Sequence, residues 1–121
     1  MTNQIQNPNA KKFDLEDRTT VFAENVIDFV KKIDNNSVNR PLISQLVRAA
    51  SSVAANYMEA DSAESKKDFR HKIAICRKES KETRLWLRLM AKANPQYKEE
   101  IKILWKEAHE LLLIFSTIFK K

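Results

Sequence analysis

None of the chain's 121 residues is glycine. Gly-rich phosphate loops, dinucleotide-binding fingerprints and Gly-dependent hairpin turns are therefore excluded together, because each needs backbone that approaches closely or takes positive φ. Only three prolines break the chain, so long stretches are free to propagate as helix. The fold class that follows is all-α with short connections. At this length the chain makes one domain, able to bury an ordinary core without disulfide or metal staples.

Periodicity places the helices. Residues 1–12 are Asn/Gln-rich, hold Pro8 and show no period, which predicts a disordered arm. Residues 13–121 read as four helices, at about 15–33, 40–60, 65–93 and 95–120. Leu15, Thr19, Phe22, Ala23, Val26, Ile27, Val30 and Ile33 give the first its apolar stripe, and Ile43, Leu46, Val47, Ala50, Val53, Ala54 and Tyr57 give the second. Ser65 followed by Asp68 resembles a capping box at the start of the third, and Asn94-Pro95 ends it. The fourth has a core stripe of Ile101, Leu104, Trp105, Ala108, Leu111, Leu112, Phe115, Ile118 and Phe119. Ile103, Leu113 and Ile114 lie off that stripe, and so wide an apolar face predicts a subunit interface. The architecture expected is an up-down-up-down antiparallel four-helix bundle assembling into a ring-like homo-oligomer.

The third helix carries the charge. It holds ten Lys/Arg against three acids, a local excess of +7, while the rest of the chain nets −1. At about 100° per residue, Lys66, Arg70, Arg77, Lys81, Arg84, Arg88 and Lys92 fall within an arc of roughly 80°. The opposite side carries Phe69, Ile75, Cys76, Trp86, Leu87, Leu89 and Met90, together with Glu79 and Glu82. A localised basic stripe points to an acidic partner, and a solvated helix face is the plain alternative. Aromatics are not interleaved with the stripe along this helix, so single-strand stacking is not the expected mode of binding.

The second helix has its own polar stripe of Gln45, Arg48, Ser52, Asn56 and Glu59. Helices two and three, joined by a short loop, should pair antiparallel, with residues level when their numbers add to about 127. Arg48 then faces Glu79, Gln45 faces Glu82, and Asn56 and Glu59 flank Lys72. This predicts a partly buried structural network of Arg48, Asn56, Glu59, Lys72, Glu79 and Glu82. A dimetal carboxylate site would need two Glu-x-x-His motifs. Asp68-x-x-His71 has the spacing, but His109 follows Lys106, so neither a metal nor any other cofactor is expected. Acid–base catalysis lacks a companion nucleophile or oxyanion donor. The lone Cys76 cannot form an internal disulfide and fits a reducing cytoplasm as a buried inert thiol. The N-terminal residues are polar, with no secretory pattern. The longest apolar run, from Leu111 through Phe119, reaches about half the length of a membrane span.

The run from Gln45 through Arg48, Ser52, Asn56 and Glu59 to Ala60, then Ser65-Lys-Lys-Asp-Phe69, then Lys78 through Glu79, Glu82 and Trp86 to Leu87, resembles a bacterial four-helix bundle family. Its founding members are encoded in intervening sequences of large-subunit ribosomal RNA genes. Phe13-Asp-Leu-Glu-Asp-Arg18 is similar too, so the resemblance spans about residues 13–120. Many relatives carry alanine after the first glutamate, where this chain has Ser80. The resemblance implies a cytoplasmic bundle assembling into a ring, commonly a pentamer, with no established catalytic activity. A related group, the accessory proteins of diversity-generating retroelements, implies a basic barrel that binds nucleic acid and a reverse transcriptase.

Residues and resemblance together lead to one expectation: a non-enzymatic oligomer binding RNA or DNA through Lys66, Arg70, Arg77, Lys81, Arg84 and Arg88, with Lys67 and Lys78 on the flank. The alternatives are a scaffold that docks an acidic protein, and a hydrolase or metal enzyme built on Glu59, Glu79 and Glu82. A membrane-surface role is disfavoured, because bulky exposed apolar residues do not flank the stripe.

Overall fold

The computed structural model describes residues 14–121, and the arm expected over residues 1–12 lies outside the described residues. Among the described residues there are four α-helices and no strand: α1 (Leu15–Val30), α2 (Asn39–Asp61), α3 (Lys66–Ala93) and α4 (Lys98–Lys120). A 3₁₀ turn, Pro95–Tyr97, joins the last two. Helices consecutive in sequence pack side by side, most extensively α2 with α3 and α3 with α4. The contact between α1 and α4 closes the bundle most sparingly.

One rule of spacing builds the core. In α1 and the turn after it, the buried positions are Leu15, Thr19, Phe22, Val26, Phe29 and Ile33, in alternating steps of four and three. α3 repeats the pattern with Ile73, Cys76, Ser80, Thr83, Leu87 and Met90, and α4 with Ile101, Leu104, Ala108, Leu111 and Phe115. α2 contributes Leu46, Ala49, Ala50, Val53 and Ala60. Alternating threes and fours make the 3.5-residue seam of coiled-coil packing, narrower than a 3.6-residue stripe. This corrects the sequence reading at the margins. Ile27 is exposed and Phe29 takes its place, because 26, 29 and 33 keep the seam where 26, 27 and 30 leave it. Leu89 is exposed, while Ile73 is fully buried.

Two polar residues sit in the α3 seam. Thr83 donates to the Glu79 carbonyl at 2.7 Å, one turn back, and so satisfies its hydroxyl. Ser80, also buried, finds no partner for Oγ among the described residues. A buried hydroxyl without a bond retains its desolvation cost. Ser80→Ala is therefore expected to raise the unfolding free energy by about 1 kcal/mol, read from urea unfolding. A loss of stability would show that the hydroxyl is satisfied.

Local bonds set the helix ends. Asp14 Oδ1 accepts from the Asp17 amide at 3.1 Å, and Ser65 Oγ accepts from the Asp68 amide at 3.1 Å. α1 stops at Val30 rather than Ile33, because the amides of Lys32 and Ile33 close three-residue turns onto Phe29 and Val30. The freed Lys32 carbonyl accepts from the Tyr97 hydroxyl at 3.2 Å, and the Tyr97 ring meets Phe29 edge-on at 87°. Asn36 Oδ1 accepts from the amides of Val38 and Asn39, so α2 begins earlier than the period alone implies. α4 starts at Lys98, since Pro95 opens a 3₁₀ turn and not the helix itself.

At this end of the bundle two asparagines are buried against each other. Asn39 Nδ2 donates to Asn94 Oδ1 at 3.1 Å, and Asn94 Nδ2 returns a bond to Asn39 Oδ1 at 2.9 Å. Asn39 Nδ2 also reaches the Asp34 carbonyl, and Asn94 Nδ2 the Met90 carbonyl. The pair fastens the start of α2 to the end of α3.

Candidate functional site

Antiparallel pairing of α2 and α3 brings their polar faces together. Arg48 Nη1 lies 3.3 Å from Glu79 Oε1, and Nη2 lies 3.1 Å from Glu82 Oε1. Gln45 Oε1 accepts from Arg48 Nε at 3.1 Å, so one guanidinium holds both carboxylates and is itself braced. Towards the other end of the hairpin, Lys72 Nζ meets Glu59 Oε1 at 2.6 Å. Asn56 lies between the two clusters but donates to Ser52, one turn back on its own helix, and joins neither. Arg48 thus holds both Glu79 and Glu82. No three His, Cys, Asp or Glu side chains among the described residues gather as a metal set. Cys76 is fully buried, and burial pushes its thiol up to about 12, far from the thiolate a nucleophile needs.

The basic side of α3 lies along α4, and three of its arginines are engaged there. The Arg70 and Arg77 guanidinium carbons sit 4.2 Å and 4.3 Å from the centroid of the Phe119 ring. Arg70 also donates to the Phe119 carbonyl, as suits the carbonyl-rich end of a helix. Arg84 lies 5.4 Å from the Trp105 ring centroid and donates from Nη1 to His109 Nδ1 at 3.0 Å. A guanidinium only donates, so this bond places the proton of a neutral His109 on Nε2. The His109 ring in turn stacks on Trp105 at 5.1 Å and 12°. Read along α3 alone, the stripe lacks aromatics. In the folded chain, α4 supplies Trp105, His109 and Phe119 to it, and two residues assigned to the core from sequence become the lining of a charged face.

Two adjoining clefts run between the helices. One of about 550 Å³ is lined by Arg77, Lys78, Lys81 and Arg84 with Leu112 and Leu113 opposite. The other, about 430 Å³, continues it past Lys81 and Arg84 to Leu85, Arg88 and Trp105. Lys66, Lys78, Lys81 and Arg88 are exposed, and among the described residues none has a carboxylate or hydrogen-bond partner. By contrast Arg18, Lys32, Arg48 and Lys72 are all paired with carboxylates.

The α1/α4 seam was not anticipated from the sequence. Arg18 holds Glu107 at 2.8 Å and Glu110 at 2.9 Å, and the Glu107 hydrogen bond drives its guanidinium still further above its ordinary range. Lys32 pairs with Glu100 on the same seam. Acid–base pairs this far apart in sequence have no short-range signal. Of the three residues expected to form a subunit interface, Ile103 is 69% exposed, Leu113 53% exposed and Ile114 half-buried. No helix among the described residues is long and apolar enough to cross a membrane.

Comparison with known proteins agrees with this architecture. The family model described as "23S rRNA-intervening sequence protein" matches residues 11–116. Among solved structures, the chain is similar to a protein of unknown function from the S23 ribosomal protein family of Bacteroides thetaiotaomicron. The two share 27% identity and a TM-score of 0.76, over 88% of this chain and 98% of the other. Among curated proteins none matches the chain.

Proposed function

The chain belongs to the 23S rRNA-intervening sequence protein family, and from that premise we propose that it is a non-enzymatic homo-oligomer binding RNA or DNA through the phosphate backbone. The observation that carries this reading is a row of unpaired cations along one groove. Lys78, Lys81 and Arg88 line the adjoining α3/α4 clefts without a carboxylate partner among the described residues, and Lys66 is exposed further along the same helix. Unpaired cations along one groove raise the local potential and attract a polyanion. Repetition of the groove around a ring, with Ile103 in the subunit contact, multiplies that field. A buried, uncharged Cys76 suits a cytoplasmic setting.

A second reading rests on Leu85, Leu112 and Leu113, which line the same clefts. These apolar groups beside the cations correct the expectation that none flank the stripe, since α4 brings Leu112 and Leu113 to it, and they also fit an acidic amphipathic segment of a partner protein. Light scattering coupled to size exclusion, with and without a short duplex RNA at low and high salt, separates the two. The nucleic-acid reading expects a ring that takes up RNA at low salt and releases it at high salt. A ring that ignores both this duplex and single-stranded RNA at low salt transfers the groove to an acidic protein, and a monomer removes the assembly.

The charge-reversal test uses Lys78→Glu, Lys81→Glu and Arg88→Glu together. These side chains make no internal bond among the described residues, so stability should be unaffected. Affinity should fall at least about a hundredfold at low salt, and the slope of log K against log salt should flatten by about 2–3. Unchanged affinity would end this reading.

A further inference from the structure

The α3/α4 groove is more than a run of charge, and its two halves differ. The Arg77–Lys78–Lys81 half faces the aliphatic Leu112 and Leu113, whereas the far half combines Lys81 and Arg88 with the Trp105 indole and the exposed Leu85. Arg84 separates them, fixed against Trp105 and hydrogen-bonded to His109, while His109 stacks on the same indole. Glu82 also borders the far half, but Arg48 holds its carboxylate from the other side. A cleft that sets an aromatic and an aliphatic surface between unpaired cations suits a ligand alternating flat rings with anions. Duplex nucleic acid presents its phosphates, but its bases stay stacked inside. A single strand presents both.

Resting on the nucleic-acid reading above, we propose that this groove takes single-stranded RNA or DNA. One base lies against Trp105, and the flanking phosphates lie on Lys81, Arg88 and Lys78. Lys81 borders both clefts, so a continuous strand passes from one to the other over it. Arg84 and His109 act as positioning residues that hold the indole in place. Binding is tolerant of sequence, because every base has a π face.

The test uses the full chain with Trp86→Phe, which leaves Trp105 as the sole tryptophan. Oligouridylate, oligothymidylate and a mixed-sequence RNA duplex, each of roughly ten nucleotides per strand, are titrated at low salt. The proposal expects quenching of Trp105 emission by single strands and tighter binding of single strands than of duplex. Read by the anisotropy of an end-labelled strand, Trp105→Leu should cost about tenfold or more in single-strand affinity with duplex binding retained, and Trp105→Tyr should restore most of it. The oligouridylate and oligothymidylate arms separate RNA from DNA. Equal affinity for single strand and duplex, or an unchanged single-strand affinity in Trp105→Leu, overturns this inference and leaves backbone binding standing. Failure of every nucleic acid to bind overturns both.

Discussion

Replacing Asn94 by alanine is expected to lower the unfolding free energy by about 2–4 kcal/mol, though the side chain lies far from any charged groove. Asn39 and Asn94 are 2% and 3% exposed, so neither can turn to water when its partner is removed. Alanine at 94 deletes the reciprocal pair and the bond to the Met90 carbonyl, and it leaves Asn39 Oδ1 buried without a donor. An unmet buried polar group costs about 1–3 kcal/mol beyond the bonds themselves. The double replacement Asn39→Leu with Asn94→Leu should cost less than the two single changes added, since no amide is then stranded. Urea unfolding of the four proteins of the cycle measures the coupling, and strict additivity would show that the two amides do not depend on each other.

The second large effect is asymmetric. Arg48→Ala should cost about 2 kcal/mol, because the Glu79 carboxylate, with its side chain only 8% exposed, loses the group that compensates it. The cost stays below the roughly 3–5 kcal/mol typical of a fully buried pair, since the guanidinium is half exposed and Gln45 and Glu82 share it. Glu79→Gln should cost under about 1 kcal/mol, because an amide keeps the shape and one acceptor while Arg48 turns to Glu82 and solvent. Equal costs for the two substitutions, measured by chemical unfolding, would place the charge burden elsewhere.

How far the sequence discloses this molecule depends on whether a feature repeats locally. The four helices are legible because their apolar residues recur every third or fourth position, and because the chain lacks glycine. The α2/α3 register is legible because a short loop leaves almost no freedom in how the two helices align. Core membership at the edges is not. Ile27 and Phe29 satisfy a helical period equally well, and only the narrower 3.5-residue seam chooses between them. Ser80 and Thr83 escape notice because polar residues in a seam give no apolar signal. The charged groove is half legible: α3 displays its cations in sequence, while Trp105, His109 and Phe119 come from α4 and meet them only through packing. Arg18 with Glu107 shows the same limit, since nothing local ties residues so far apart.

The order of packing also shapes how such a chain finds its structure. Each helix lies mainly against the helix before or after it, and the sparse α1/α4 contact is the one closure that spans nearly the whole chain. Most loop-closing entropy is therefore spent over short connections, the condition under which helical domains fold in about microseconds to milliseconds. The one long closure is a small one, drawing α1 and α4 together over Arg18 and its two glutamates. Such sparse contact marks α1 as the helix expected to open locally with the least loss of packing, its contact with α2 being smaller than either of the other two neighbouring pairs.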